Sequence, residues 1–186
     1  LGAAGQAAFF QGDFPAALAN LEKSLADARQ AGNRTIIAAI ISRLGLTFCQ
    51  MQEYARAEAC FQESLAIYQE LDNPGGILRT LSDMGFSALC QGDGARAQAY
   101  LEQSSGIGHF PNDEYLQARL QLILGYLARL QGDFAIAAKH NRQAMAILIP
   151  LKNTLGLFYV LNSFSFLEAS KGEYRRAARL FGFRQY

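Results

Sequence analysis

Residues 51–73, MQEYARAEACFQESLAIYQELDN, recur in modified form along the chain at a constant interval. Related segments begin at Gln11 (QGDFPAALANLEKSLADARQAGN), Gln91 (QGDGARAQAYLEQSSGIGHFPND), Gln131 (QGDFAIAAKHNRQAMAILIPLKN) and Lys171 (KGEYRRAARLFGF). One turn position therefore holds Gly12, Gln52, Gly92, Gly132 and Gly172 in register. A constant period of about 40 residues indicates a stack of similar structural units, and such stacks provide extended binding surfaces.

Each repeat predicts a pair of helices, A and B. In the second repeat, apolar residues recur at helical spacing first in helix A and then in helix B: Ile37, Ile40, Ile41, Leu44 and Phe48, followed by Tyr54, Ala57, Phe61, Leu65 and Tyr68. Gln52 and Glu53 form the turn between the two helices. The sequence DNPGG after helix B predicts a stop, because Asn and Gly accept left-handed conformations and Pro74 cannot continue a helix.

Other positions suit helix starts and the close packing of A on B. Asp13, Asp93 and Asp133 precede helix B, where a carboxylate serves as N-cap, and Pro15 suits the first turn. Small residues recur at one position of each helix: Gly5, Gly45, Gly85, Gly125 and Ser165 in helix A, and Ala17, Ala57, Ala97, Ala137 and Ala177 in helix B. Glycine inside a helix costs about 1 kcal/mol relative to alanine, so its recurrence predicts close approach of the partner helix.

The pattern of residues resembles the tetratricopeptide repeat. It consists of a small residue in helix A, an aromatic residue that opens helix B, an alanine three residues later and a large apolar residue four beyond that alanine. Phe14, Ala17 and Leu21 show the helix B part of the pattern, and Tyr54, Ala57 and Phe61 repeat it. The period is longer than the usual ~34 residues, and HEAT or armadillo arrays, with periods of about 40–47, remain an alternative. The resemblance implies an all-α, right-handed superhelical array of antiparallel helix pairs, an α-solenoid.

The array spans residues 1–186 as a single repeat domain of about four and a half repeats, approximately 1–35, 36–75, 76–114, 115–154 and 155–186. The third repeat is irregular, because Gly94 replaces the aromatic and SSGIGHFPND contains two glycines and Pro111. We expect its helix B to end near Ser104, before a longer loop through Asn112 that is either a tolerated defect or a hinge or ligand-covering loop. The chain starts with LGAAG and ends with FGFRQY inside a repeat, so we expect a fragment of a longer protein.

Composition excludes several function classes. The 17 basic and 16 acidic residues nearly balance, and no basic cluster typical of nucleic-acid binding occurs. No apolar run approaches the ~20 residues of a membrane span, and no signal peptide is visible. The three cysteines, Cys49, Cys60 and Cys90, lack metal-ligand spacing and are expected to be buried thiols of a cytoplasmic protein.

No catalytic constellation is visible, so we expect no enzyme activity and no cofactor. His109 and His140 lack a Cys or Ser partner at a spacing that would indicate a nucleophile and its base. The acidic residues of the turns serve as local helix caps. Single glycines one repeat apart do not form a phosphate-binding loop. A helix-turn-helix reader is not supported either, because no basic recognition helix occurs.

In tetratricopeptide arrays the A helices line the concave face, and the resemblance transfers ligand-contacting positions to this chain. These positions hold Arg79, Ser82, Phe86 and Leu89 in the third repeat, Arg119, Leu122, Tyr126 and Arg129 in the fourth, and Tyr159, Asn162 and Phe166 in the fifth. Arg79 and Arg119 are expected about one helix diameter apart, ~10 Å. Phe86, Tyr126 and Phe166 share one position and form an aromatic ladder.

Arginines beside aromatic walls suit a carboxylate-bearing peptide, and the same rings could stack on a sugar. The alternative is that the ladder belongs to the core between repeats and the arginines lie solvated over it. The dedicated carboxylate clamp of this family also uses Lys and Asn, and only Asn162 matches it loosely.

Residues Arg175 to Tyr186, RRAARLFGFRQY, resemble a segment in the C-terminal repeat regions of large bacterial signal-transduction ATPases and LuxR-type transcriptional activators. The resemblance implies a protein-interaction or sensor module of a bacterial regulator, whose partner is a protein or peptide. The alternative is a groove that binds a small inducer directly. Terminal repeats with bare apolar faces also suggest a homodimer, and neither nucleic acid nor membrane is an expected partner of this segment.

Overall fold

The computed structural model describes residues 12–107 and 114–182. They form two compact units, one before and one after the gap, which are described separately. In the N-terminal unit the helices are α1 (Phe14–Gln30), α2 (Arg34–Gln50), α3 (Tyr54–Glu70), α4 (Pro74–Cys90) and α5 (Gly94–Gly106). In the C-terminal unit they are α6 (Glu114–Leu130), α7 (Phe134–Leu148), α8 (Thr154–Ser170) and α9 (Tyr174–Gly182).

Every described helix belongs to the predicted alternation of A and B. The A helices are α2, α4, α6 and α8, and they pack against the B helices α3, α5, α7 and α9 that follow them. Neighbouring A helices also contact each other, α2 with α4 and α6 with α8. The predicted all-α array of antiparallel helix pairs is therefore confirmed for the described residues.

The recurring small residues of helix A lie in contact with a large side chain of helix B, which occupies the space that a Cβ would need. A Cβ on Gly45 would lie 2.7 Å from a ring carbon of Phe61, and one on Gly85 would lie 3.2 Å from Leu101. Both B-helix side chains are buried in the interior. The predicted close approach is thus confirmed at these repeats, whereas Gly5 lies outside the described residues.

Within residues 12–107 and 114–182 the turns recur at half the sequence period, because a repeat with both turns described has one after helix A and one after helix B. A residue with positive φ stands at equivalent places in these turns: Gly12, Gly32, Gln52, Asp72, Gly92, Gly132, Lys152 and Gly172. The left-handed residue after α3 is Asp72, so the expectation that Asn73 or the following glycines take this role is wrong. Asn73 instead caps α4, with its side-chain oxygen accepting from the Gly76 amide at 2.9 Å, and Pro74 opens that helix.

Caps at the B helices follow the sequence in part. The Asp13 carboxylate accepts from the Ala16 amide at 3.1 Å, and that of Asp93 accepts from the Arg96 amide at 2.9 Å. Asp133 occupies the equivalent position before α7 without such a bond. In the irregular third repeat, α5 continues to Gly106, slightly beyond the predicted end, and most of the expected loop lies outside the described residues.

The thiols are less uniformly buried than the sequence suggests. Cys49 is buried, Cys60 is half-buried and Cys90 is exposed, so the expectation of three buried thiols is wrong for Cys90. Cys90 is the last residue of α4 and is exposed to solvent at the end of that helix.

Candidate functional site

Side chains of α6 and α8 form one continuous surface in the C-terminal unit, here called the α6–α8 face. The α6 residues follow at intervals of three or four, which places them along one side of the helix. The α6–α8 face consists of Tyr115, Arg119, Leu122, Tyr126 and Arg129 of α6, with Tyr159, Asn162 and Phe166 of α8. Because α6 and α8 pack directly on each other, the two rows are neighbours.

Three aromatic rings of this face remain open to solvent. Tyr115 is 45% exposed, Tyr159 is 47% exposed and Phe166 is 48% exposed, whereas Tyr126 is half-buried. A side chain that belonged to the core between repeats would be almost fully covered. Phe166, the last ring of the ladder, is therefore half-exposed in the part of the chain that the structure describes, and Tyr115 lies in the same row of α6 as Tyr126.

Arg129 joins the two helices by stacking on aromatic rings of both. Its guanidinium carbon lies 4.6 Å from the centre of the Tyr126 ring and 5.1 Å from the centre of the Phe166 ring. Cation–π contacts of this kind contribute about 0.5–1 kcal/mol each at exposed sites. Within the described residues, the Arg129 Nε is buried and has no hydrogen-bond partner, so stacking holds the group in place.

A second arginine, Arg119, lies near the phenol of Tyr159. Burial raises the pKa of Tyr159, and the nearby Arg119 charge opposes this by favouring the phenolate. The two ends of the α6–α8 face thus each combine a guanidinium with an aromatic ring. Arg119 also takes part in further interactions within the unit.

The charge of the face is positive. None of its eight residues carries a carboxylate, and two carry a guanidinium. Glu168, on the same helix as Phe166, is engaged elsewhere: its carboxylate pairs with the Lys171 ammonium at 3.1 Å and the Arg176 guanidinium at 3.8 Å. The arrangement suits a ligand that presents an anion beside apolar or aromatic groups.

The equivalent residues of the N-terminal unit are arranged differently. Arg79 is exposed, and its charge, together with that of Arg43, acts on the nearby Tyr68 phenol. Ser82 is completely buried and its hydroxyl donates to the Leu78 carbonyl at 2.8 Å, so it presents no atom to a ligand. Phe86 is half-buried against the hydrophobic core.

A buried carboxylate distinguishes the α2 and α4 pair from the equivalent pair in the C-terminal unit. Asp83 is 1% exposed and accepts a hydrogen bond from the Ser42 hydroxyl at 2.9 Å, and it makes further interactions. The repeat register places Ile123 at the equivalent position of α6, so the sequence shows Asp83 only as a polar residue at an otherwise apolar position.

The structure thus assembles part of the predicted site. Tyr126, Arg129 and Phe166 come together, as do Arg119 and Tyr159, and Asn162 lies half-buried on the same row of α8. Arg79, Ser82 and Phe86 belong to the other compact unit, so the predicted separation of ~10 Å between Arg79 and Arg119 stays a prediction.

Other polar groups offer little reactive chemistry. His140 of α7 is half-buried, and its Nδ1 lies 2.6 Å from the Gln121 side-chain oxygen. Burial lowers its pKa, and the Lys139 charge acts in the same direction. His109 lies outside the described residues, and among those described no cluster of three His, Cys, Asp or Glu side chains could hold a metal ion. In 12–107 and 114–182, no helix combines the length and apolar character that crossing a bilayer requires.

The sequence profile of the tetratricopeptide repeat matches residues 1–70 and, overlapping, residues 36–108. The chain belongs to the tetratricopeptide repeat family. This assignment decides against the HEAT and armadillo alternatives. A comparison with curated protein sequences finds no match.

Solved structures agree with this fold. The apo form of RapI is similar to this tetratricopeptide repeat chain, with a TM-score of 0.62 and 17% sequence identity over 95% of the chain. BtubC from P. vanneervenii is similar with a TM-score of 0.66 and 16% identity over 98% of the chain. The chain spans 49% of the length of RapI and 79% of the length of BtubC. At these identities the likeness concerns the fold.

Proposed function

We propose that this tetratricopeptide repeat array is a non-catalytic module that binds a protein partner through the α6–α8 face. The partner contributes a peptide segment that carries a carboxylate beside an apolar or aromatic side chain. The observation that carries this proposal is the combination of two arginines, three half-exposed aromatic rings and no carboxylate on one surface.

The chemistry of the two arginines supports an anionic segment. A guanidinium binds a carboxylate through two parallel hydrogen bonds, and such charge-assisted bonds are stronger than neutral ones. Stacking on Tyr126 and Phe166 restricts the movement of Arg129 before a ligand arrives, which lowers the entropy cost of binding. The open rings of Tyr159 and Phe166 then offer apolar area beside the charge.

The test uses fluorescein-labelled peptides that contain Asp or Glu beside Leu or Phe, together with matched peptides in which Asn and Gln replace the acids. Binding to the full 186-residue chain is measured by fluorescence polarisation. We expect acidic peptides to bind at least about tenfold more tightly than their amide counterparts, a difference of ~1.4 kcal/mol. Added salt should reduce this preference, because it screens exposed charges beyond about 10 Å at 0.1 M.

Variants localise the binding. Arg119→Ala and Arg129→Ala should each weaken acidic peptides about tenfold, since a hydrogen bond to a charged group contributes about 1.5–3 kcal/mol. Arg142→Ala is the matched control, because Arg142 is an exposed arginine on the B helix α7. Equal binding of acidic and amide peptides, or equal loss in the control, would overturn the proposal.

A small inducer is the second candidate, and the half-exposed rings of Tyr159 and Phe166 favour it, because open aromatic faces can stack on a sugar or another planar ligand. Neutral sugars would then bind saturably, and Phe166→Ala would abolish this binding while Arg119→Ala would leave it. Peptide binding, in contrast, should weaken in Arg119→Ala, so this variant distinguishes the two functions.

The wider role we propose is the sensor arm of a bacterial transcriptional or signalling regulator that works in the cytoplasm. Its support is the resemblance of residues 175–186 to the repeat regions of LuxR-type activators, and the structure describes this segment through the end of α9. Sequencing the full reading frame tests it. A P-loop domain together with a helix-turn-helix domain is the expected result, and a free-standing reading frame without either would contradict it.

A further inference from the structure

Two thiols of the N-terminal unit meet at the ends of neighbouring A helices. Cys49 is the penultimate residue of α2, and Cys90 is the last residue of α4. The two helices pack on each other, so their C-terminal ends lie side by side. The Tyr54 hydroxyl donates a hydrogen bond to the Cys90 carbonyl at 3.4 Å, which links the end of α4 to the start of α3.

The two side chains touch but face different surroundings. The Cys90 thiol donates a hydrogen bond to the Cys49 sulfur, and the buried Ser87 hydroxyl contributes a second bond. Cys49 is 3% exposed and belongs to the hydrophobic core, whereas Cys90 is exposed to solvent. A reagent from solvent can therefore reach this pair from the Cys90 side.

The hydrogen bonds also make the pair reactive. They lower the pKa of the Cys49 thiol to about 7, mainly through the bond from Cys90, against the opposing effect of burial. A thiolate is the reactive form of cysteine in oxidation and disulfide formation. The pair therefore begins to lose its first proton near neutral pH, which gives one thiolate beside one thiol.

We propose that Cys49 and Cys90 form a reversible intramolecular disulfide when the protein meets hydrogen peroxide. The exposed Cys90 sulfur passes its proton to the Cys49 thiolate, attacks one peroxide oxygen and breaks the O–O bond, giving a sulfenic acid on Cys90 and hydroxide. Hydroxide takes the proton of the second thiol, and the new thiolate displaces hydroxide from the sulfenic sulfur. Two sulfurs are oxidised by two electrons in total, one peroxide is reduced, and the bond ties α2 to α4.

Cys60 provides an internal control, because it lies on α3 and is half-buried. Burial raises the pKa of the Cys60 thiol, with the Glu63 charge acting in the same direction. It should therefore stay reduced under conditions that oxidise the pair. This inference does not depend on the proposed peptide binding, because it concerns residues of the other compact unit.

The test treats the reduced full chain with excess hydrogen peroxide, removes the peroxide with catalase and alkylates the remaining thiols with N-ethylmaleimide. Intact mass should show that two of the three thiols no longer react, and peptide mapping should find Cys49 linked to Cys90. Dithiothreitol should restore all three reactive thiols. Cys60→Ser should keep the disulfide, and Cys90→Ser should lose it while its circular dichroism remains that of the wild type.

Three results would overturn the proposal. All three thiols could remain reactive after peroxide, the disulfide could include Cys60, or Cys90 could link two chains while Cys49 stays reactive. Each is read directly from the wild-type protein by non-reducing electrophoresis and mass spectrometry, so the conclusion does not require a substituted core cysteine to fold.

Discussion

Replacing each of two adjacent glycines in the first turn of α4 by alanine should change stability in opposite directions. A Cβ on Gly76 would lie 2.2 Å from one ring carbon of Tyr68 and 2.4 Å from two others. Carbon atoms in contact are normally about 3.5–4.0 Å apart, so the ring would have to move by more than ~1 Å. Tyr68 is 4% exposed, so the ring is almost completely enclosed by protein.

A Cβ on Gly75 meets only the Asn73 side-chain oxygen, at an ordinary 3.7 Å. Both substitutions gain helix propensity of about 0.5–1 kcal/mol. Overpacking a core costs about 1–3 kcal/mol, and the overlap at Gly76 belongs near the upper end. We therefore expect Gly75→Ala to stabilise the protein slightly and Gly76→Ala to destabilise it by about 2 kcal/mol.

Urea unfolding followed by circular dichroism at 222 nm measures both effects. With a denaturant slope of about 2 kcal/mol/M, Gly76→Ala should lower the midpoint by about 1 M, and Gly75→Ala should raise it slightly. In a Tyr68→Ala background the side chain that the new Cβ would meet is absent, so Gly76→Ala should no longer destabilise the protein. If the two alanine variants unfold at the same midpoint, close packing does not explain the glycine.

Two further predictions concern the C-terminal unit. Asn141 is fully buried at the position that holds Leu101 one repeat earlier, and its Oδ1 has no hydrogen-bond partner among the described residues, while its Nδ2 donates to the Ser163 hydroxyl. The double variant Asn141→Leu/Ser163→Ala should therefore raise the free energy of unfolding by about 1 kcal/mol in a urea titration, whereas an unchanged or lower value would contradict this reasoning. Burial lowers the pKa of His140 below its ordinary value of 6.5, so the unfolded chain binds more protons than the folded chain as the pH falls through that value. Stability should therefore decrease as the pH is lowered through about 6.5, and a His140→Asn variant with an unchanged pH slope would refute this cause.

The backbone could be predicted from the sequence more fully than the surface could. The spacing of apolar residues and small residues identified the helix pairs, and Gly45 against Phe61 confirms the contact that the small residue implied. These features depend on local periodicity and on volume, which the sequence displays directly. Asp72 was missed because Asn and Gly are the usual left-handed residues, whereas here the regular turn imposes that conformation on an aspartate.

The candidate site depends on the angles and distances between helices, which periodicity does not determine. Ser82 falls within a row of spaced residues, yet its side chain lies fully buried inside the unit. Arg129 was placed beside the aromatic ladder, but its stacking on both Tyr126 and Phe166 requires the contact of α6 with α8. The meeting of Cys49 and Cys90 likewise depends on where two helices end.

The even spacing of the left-handed turns limits how such an array can change length during evolution. Gain or loss of the whole segment between two equivalent turns, such as Gln52 and Gly92, adds or removes one complete helix pair and leaves each remaining contact with its proper type of partner. Gain or loss of a single helix with its turn would keep the backbone regular. It would, however, place every later A helix in a B position and every later B helix in an A position. Unequal recombination should therefore be tolerated in whole pairs, which offers a means of lengthening the recognition surface without redesigning a core.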